Sequence, residues 1–218
     1  MKRLTVIVGH FGSGKTEIAV NIGINLGREG KKFSLVDLDI VDPYFRSRER
    51  ADILEALGGT VIASSPTCVD ADMPSMPPAV ATLWSSEQYG VFDIGGDPAG
   101  ARVLARYRHE LVRHGADVWC VINGNRPLSA TPEQAMAYVN AIQEASGLAI
   151  TGLINNTHCC QLTTVDDVRN GAALTAEVSQ RTGIPIVYHA VAERLVTEAA
   201  AYVQPILPLT LYMKKPWE

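Results

Sequence analysis

Residues 9–17 read GHFGSGKTE, and the spacing inside that stretch decides the fold. Gly9, Gly14, Lys15 and Thr16 fill the pattern GxxxxGK[ST], after the apolar run LTVIV at 4–8 and before a helix-forming stretch over 15–29. A strand, a tight glycine loop and a helix start, in that order, bring backbone N–H groups and the positive end of a helix to one point, where a phosphate is held. Gly12 and Gly14 give the backbone the freedom to bend there. Gly12, Ser13, Gly14, Lys15, Thr16 and Glu17 are therefore the expected contacts to a nucleotide. Lys15 is expected to bridge the β- and γ-phosphates, as a catalytic cation, and Thr16 to offer its hydroxyl to Mg²⁺. The plainer alternative is a glycine turn that caps a helix and leaves the lysine in solvent.

Outward from the loop, short β-branched runs alternate with helical patterns. Strands are expected at 33–39, 60–64, 90–94, 117–123, 149–155 and 184–189, with helices near 47–58, 99–114, 131–146, 164–182 and 191–201. Apolar runs without alternation, separated by helices, indicate parallel strands covered on both faces. The expected class is α/β: a three-layer P-loop NTPase fold with a mostly parallel central sheet, in one domain over 1–218. The run at 60–64 reads as an edge strand. Ligands of such sheets bind at the carboxyl ends of the strands, so the residues just after each strand carry the chemistry.

Hydrophobic residues make up 47% and charged residues 19%, an ordinary globular balance. The formal net charge of −4 argues against a general nucleic-acid binder, because no surplus of cations replaces phosphate counterions. The apolar run after Lys2-Arg3 is too short for a signal peptide, and no stretch approaches the ~18 apolar residues of a membrane span. Pro205, Pro208 and Pro216 interrupt the C-terminal stretch 203–218, so a membrane-surface helix is not expected there. The four cysteines, Cys68, Cys120, Cys159 and Cys160, show no CxxC spacing. Reduced thiols in a cytoplasmic protein are expected.

A phosphate loop needs acids nearby. Asp93 ends the run GVFD and is the expected Mg²⁺-side carboxylate, with Gly96 close enough for its amide to meet a γ-phosphate. Asp97 either caps the next helix or joins the chemistry. Asp37 and Asp39 end the second expected strand; the pleat is expected to send them to opposite faces, so that at most one of them faces the γ-phosphate. Arg46, Arg48 and Arg50 follow on a helix whose bland reading is a solvated face. Asn155, in GLINNTH at 152–158, is expected to pair with the N6/N7 edge of adenine. The same stretch lacks the carboxylate with which guanine is read, so ATP is expected over GTP. His158-Cys159-Cys160 suggests a metal only weakly, having no partner cluster. Asn123, Asn125 and Arg126 follow another strand; Arg126 either lines the nucleotide or anchors its loop, and Thr131 caps the helix that Pro132 opens.

Taken together, the loop, VDLD, FDIGGDPAG, LINN and GIPIVYH resemble the CobQ/CobB/MinD/ParA branch of P-loop NTPases, over most of the chain. The resemblance implies that Gly12 to Thr16 bind phosphates, that Asp39 positions the attacking water, that Asp93 holds Mg²⁺ through water and that Asn155 reads adenine. It implies a slow Mg²⁺-dependent ATPase that switches its affinity for a protein partner or cargo. A small-molecule ligase or kinase of the dethiobiotin-synthetase kind is the alternative. The sequence departs from the family at one place. Where many members carry a lysine that crosses a dimer interface, this chain has His10, so the tight ATP-sandwich dimer is not expected.

Overall fold

The computed structural model describes residues 1–39, 46–63, 78–96 and 98–213. Its strands are β1 (Leu4–Gly9), β2 (Phe33–Leu38), β3 (Gly59–Ala63), β4 (Tyr89–Ile94), β5 (Asp117–Ile122), β6 (Gly152–Asn155), β7 (Ile186–Ala192) and β8 (Ile206–Leu209). They form one sheet in the order β3-β2-β4-β1-β5-β6-β7-β8. Every pairing is parallel. The strand order reverses at β1, so the loop after β1 lies where connections diverge to the two sides and leave a crevice.

Helices α1 (Lys15–Arg28), α2 (Ala51–Ala56), α3 (Ala81–Ser85), α4 (Pro98–Arg113), α5 (Pro132–Ser146), α6 (Val165–Thr182) and α7 (Val196–Ala199) cover both faces. Strand alternation sorts the core into layers. Leu4, Val6 and Val8 of β1 join Leu104, Leu111, Val139 and Ile142 of α4 and α5 on one face. Ile7 turns the other way, to Ile18, Ile22 and Leu54 of α1 and α2. Each such side chain removed from water contributes roughly 1.5–3 kcal/mol, so β1 and α1 are fixed from both sides and the loop between them has rigid ends. Thr131 caps α5 in a reciprocal pair with Gln134, with Pro132 at the first helical position.

The chain departs from the expected elements near its C-terminus. The helix expected over 191–201 is mostly absent, because β7 runs on to Ala192 and only a 3₁₀ turn and the four-residue α7 follow. β8 was not expected at all, since Pro208 lies inside it. Proline removes a ladder donor, which an edge strand tolerates, and β8 is the edge beyond β7. Among the described residues no helix is long and apolar enough to cross a membrane.

Candidate functional site

At the end of β1 the chain turns through two residues in the left-handed region, Gly12 at φ 74° and Gly14 at φ 86°. Both also have no room for a side chain. A Cβ on Gly12 would lie 2.8 Å from Nε of Arg126, and one on Gly14 would lie 2.3 Å from Nδ2 of Asn156. The loop's carbonyls are held from within the loop and from outside it. His10 O accepts from Ser13 N at 3.0 Å and Gly12 O from Asn123 Nδ2 at 3.2 Å. Arg126 Nε also donates to Gly12 O, at 3.1 Å, and Asn156 Nδ2 to Ser13 O at 2.7 Å. With these carbonyls engaged, the amides at the start of α1 are the groups an anion there would meet.

The expected charged groups converge beneath this loop. Lys15 is buried, with Nζ 3.4 Å from His10 O, and a Cβ on Gly96 would lie 2.9 Å from that same Nζ. Gly96 thus brings its backbone against the loop, as its place after β4 suggested. Asp93 is buried, and neither carboxylate oxygen makes a well-formed hydrogen bond among the described residues. Burial, and then the nearby Asp37, push its pKa up to about 7, against the pull of Lys15 and the Thr16 hydroxyl. A buried carboxyl with no well-formed hydrogen bond, beside further acids, the Thr16 hydroxyl and Lys15, fits a divalent cation. Among the described residues no three His, Cys, Asp or Glu side chains are grouped to hold a metal by themselves. Mg²⁺ keeps several waters and needs only one or two protein oxygens besides phosphate.

Asp37 and Asp39 part company where β2 stops at Leu38. Residues two apart share a strand face, so the end of the strand separates them, not its pleat. Asp37 is fully buried and paired with Arg48, whose Nε lies 2.8 Å from Oδ2. Arg48 also donates to Asp39 O at 3.3 Å. It is therefore a clamp on the end of β2, not part of a solvated face. Asp39 lines the cavity with Lys15 and Thr16, its carboxylate against Gly95. Asp97, expected to cap a helix or join the chemistry, and Cys68 lie outside the described residues.

A cavity of about 590 Å³ opens from the loop across the carboxyl ends of β6, β7 and β8. Asn155 does not reach it. The side chain is fully buried, with Nδ2 donating to Val168 O at 3.0 Å and lying 3.2 Å from His189 Nδ1. Its Oδ1 accepts from Thr157 N at 3.1 Å. Both edges that adenine would need are used, so the adenine-reading role expected of Asn155 is withdrawn. Alternation carried the signal: if Asn155 faces α6, Asn156 faces the loop, and Asn156 is the residue in the cavity wall.

Glu17 lines the cavity, but its carboxylate is committed as an anchor. It accepts from Tyr212 N at 2.6 Å and Met213 N at 3.2 Å. Asn21, one turn on, exchanges two hydrogen bonds with the backbone of Thr210. These contacts staple the segment after β8 onto α1, where Leu211, Tyr212 and Met213 become cavity wall. The sequence reading missed this wall together with β8. It also missed Gln161, and weighed His158 only for a metal; both line the cavity after β6.

No protein-family model matches the chain, and no curated protein matches it. Solved structures do share its fold. The cell division protein FtsY of Thermotoga maritima is 22% identical with a TM-score of 0.57, over 88% of this chain and 63% of that one. The signal recognition particle receptor FtsY of Elizabethkingia anophelis, in complex with GDP, is 18% identical with a TM-score of 0.56, over 88% and 58%. The signal recognition particle 54 kDa protein of Aeropyrum pernix, also in complex with GDP, is 21% identical with a TM-score of 0.54, over 85% and 40%. This chain thus spans less than two thirds of the length of each. The parallel sheet, flanking helices and glycine loop have the P-loop NTPase α/β fold.

Proposed function

We propose that this chain is a Mg²⁺-dependent ATP-binding protein that hydrolyses ATP slowly and uses its nucleotide state to switch affinity for a protein partner or cargo. One observation carries the reading: Lys15, Thr16 and Asp39 line a nucleotide-sized cavity at the glycine loop, with the buried carboxylate of Asp93 acted on by Lys15 and Thr16. Lys15 and the loop amides offset phosphate charge. Thr16 and Asp93 would hold Mg²⁺, which supplies neutralisation of charge developing on the phosphate oxygens. Asp39 would orient the attacking water and accept its proton.

ATP is favoured over GTP by what the far wall contains. Guanine needs an acceptor carboxylate for its N–H groups. Among the described residues lining the cavity, the acids are Asp39, at the phosphate end, and Glu17, already bonded to two amides. Gln161 replaces Asn155 as the candidate for adenine, having an amide that can pair with N6 and N7. The switch reading follows the resemblance to the MinD/ParA branch, without that branch's tight dimer. His10 packs against Tyr138 with the rings tilted by 40° and centroids 3.7 Å apart, and burial and then Lys15 lower its pKa, so it is a neutral ring near pH 7. A competition titration of Mg-ATP against Mg-GTP tests the base assignment. ATP is expected to bind at least tenfold tighter, about 1.4 kcal/mol; equal binding would remove the ATP assignment.

A further inference from the structure

The corner after β6 holds a polar group that nothing above uses. His158 lines the cavity beside the loop, and its Nε2 is buried with no hydrogen-bond partner among the described residues. That nitrogen would lie 3.2 Å from a Cβ on Gly14, where the loop enters α1. The other ring nitrogen is spoken for: Cys160 N donates to His158 Nδ1 at 3.2 Å. A neutral imidazole that accepts at Nδ1 carries its proton on Nε2. The acceptor side is built deliberately. Cys160 is the one described non-glycine residue with positive φ, 53°, a conformation that costs energy and clusters at ligand sites. The His158 main-chain N–H is fixed by Asn123 Oδ1 at 3.2 Å, the same side chain that holds Gly12 O.

We infer that His158 is a phosphate-binding residue of the nucleotide site, a neutral donor whose Nε2–H meets an oxygen of the ligand's phosphate chain. The inference rests on the nucleotide reading and extends it to a residue outside the loop motif. Phosphate is favoured over ribose because Nε2 lies against Gly14, at the helix start where the loop amides gather, and Arg126 adds positive charge nearby. The charged groups acting on the ring are Arg126 and Asp167; burial, the larger effect, and Arg126 hold its pKa down to about 4. It therefore donates without carrying charge across the neutral range. The strained Cys160 backbone has a purpose on this account: it selects the tautomer that points a proton at the ligand.

The test uses the full chain with magnesium tripolyphosphate and Mg-ATP as separate probes in calorimetry. A hydrogen bond to a charged oxygen implies a roughly tenfold to hundredfold weakening in His158→Ala for both probes. His158→Gln, which keeps an N–H donor, is expected to recover part of it. If His158→Ala weakens Mg-ATP but leaves tripolyphosphate binding unchanged, the phosphate assignment is overturned. In the unmodified protein, ¹⁵N NMR of the imidazole should show the Nε2–H tautomer and a shift of that nitrogen on adding tripolyphosphate. An Nδ1–H tautomer would overturn the inference without any variant having to fold. Lys15→Ala separates the two levels. If it weakens tripolyphosphate binding and His158→Ala does not, only this inference fails; if the unmodified protein binds neither probe, the nucleotide reading itself fails.

Discussion

The two ends of the cavity are built differently. At the phosphate end, residues 12–16 come from one uninterrupted segment between β1 and α1, completed by single residues at the tips of β2 and β4. At the far end the wall is assembled from the corner after β6, from Ala190 and Ala192 of β7, and from the segment after β8 that Glu17 and Asn21 hold down. A contiguous loop keeps its function in its spacing. A wall drawn from three strands has no spacing to read, and its composition depends on which strands the sheet places side by side.

The largest effect is expected from the phosphate end. Asp39→Ala should lower single-turnover hydrolysis by roughly a hundredfold or more while Mg-ATP affinity stays within a few-fold, because an acid aligned with the attacking water acts mainly in the transition state. Normal turnover in the variant would move the role to another acid, and Asp97 would be the next to test.

The corner after β6 should show itself through acid. The His158 pKa of about 4 lies below the 6.5 of an exposed histidine. Between those values the unfolded chain binds more protons than the folded one, so this contribution to stability is whole above about pH 6.5. It is lost as the pH falls toward 4, by about 3 kcal/mol. His189, lowered by burial, acts in the same direction. Denaturant titrations between pH 7 and 4.5 should give a slope that flattens in His158→Gln. An unchanged slope would place the acid sensitivity elsewhere.

Asn155 separates scaffold from base recognition. Removing its buried bonds to Val168 O and Thr157 N in Asn155→Ala should cost about 1–3 kcal/mol of stability. The ratio of ATP to GTP affinity should not move. A changed ratio at unchanged stability would restore Asn155 as a base reader and break the contrast drawn between the two ends.

What the sequence disclosed follows the same division. The glycine loop, Asp93, the capping box at Thr131 and the alternation of strands with helices are local patterns, and the chain has them where the residues said. Arg48 was hidden because its partner, Asp37, lies eleven residues back on another element. β8 was hidden because a proline-containing run reads as a break, and only its position at the sheet edge makes it a strand. Asn155 was misjudged because its face of β6 turns to α6, where its amide is bonded to Val168 O and Thr157 N, while the next residue, Asn156, faces the loop.

The smallest expected change is none. Light scattering of Asp39→Ala at pH 8 with saturating Mg-ATP should show no ATP-driven doubling of mass, since a neutral His10 brings no charge to a facing phosphate chain. A nucleotide-dependent dimer that persists in His10→Ala would show that pairing draws its cation from elsewhere.

The central claim is that the loop at 9–17 holds a nucleotide triphosphate through Lys15, and calorimetry of Mg-ATP against the unmodified chain and Lys15→Ala tests it most directly. The buried ammonium offsets phosphate charge that the amides alone leave uncompensated, so the variant should bind at least tenfold more weakly, about 1.4 kcal/mol, with its fold intact by circular dichroism. Equal affinity in the two proteins would contradict the account at its root.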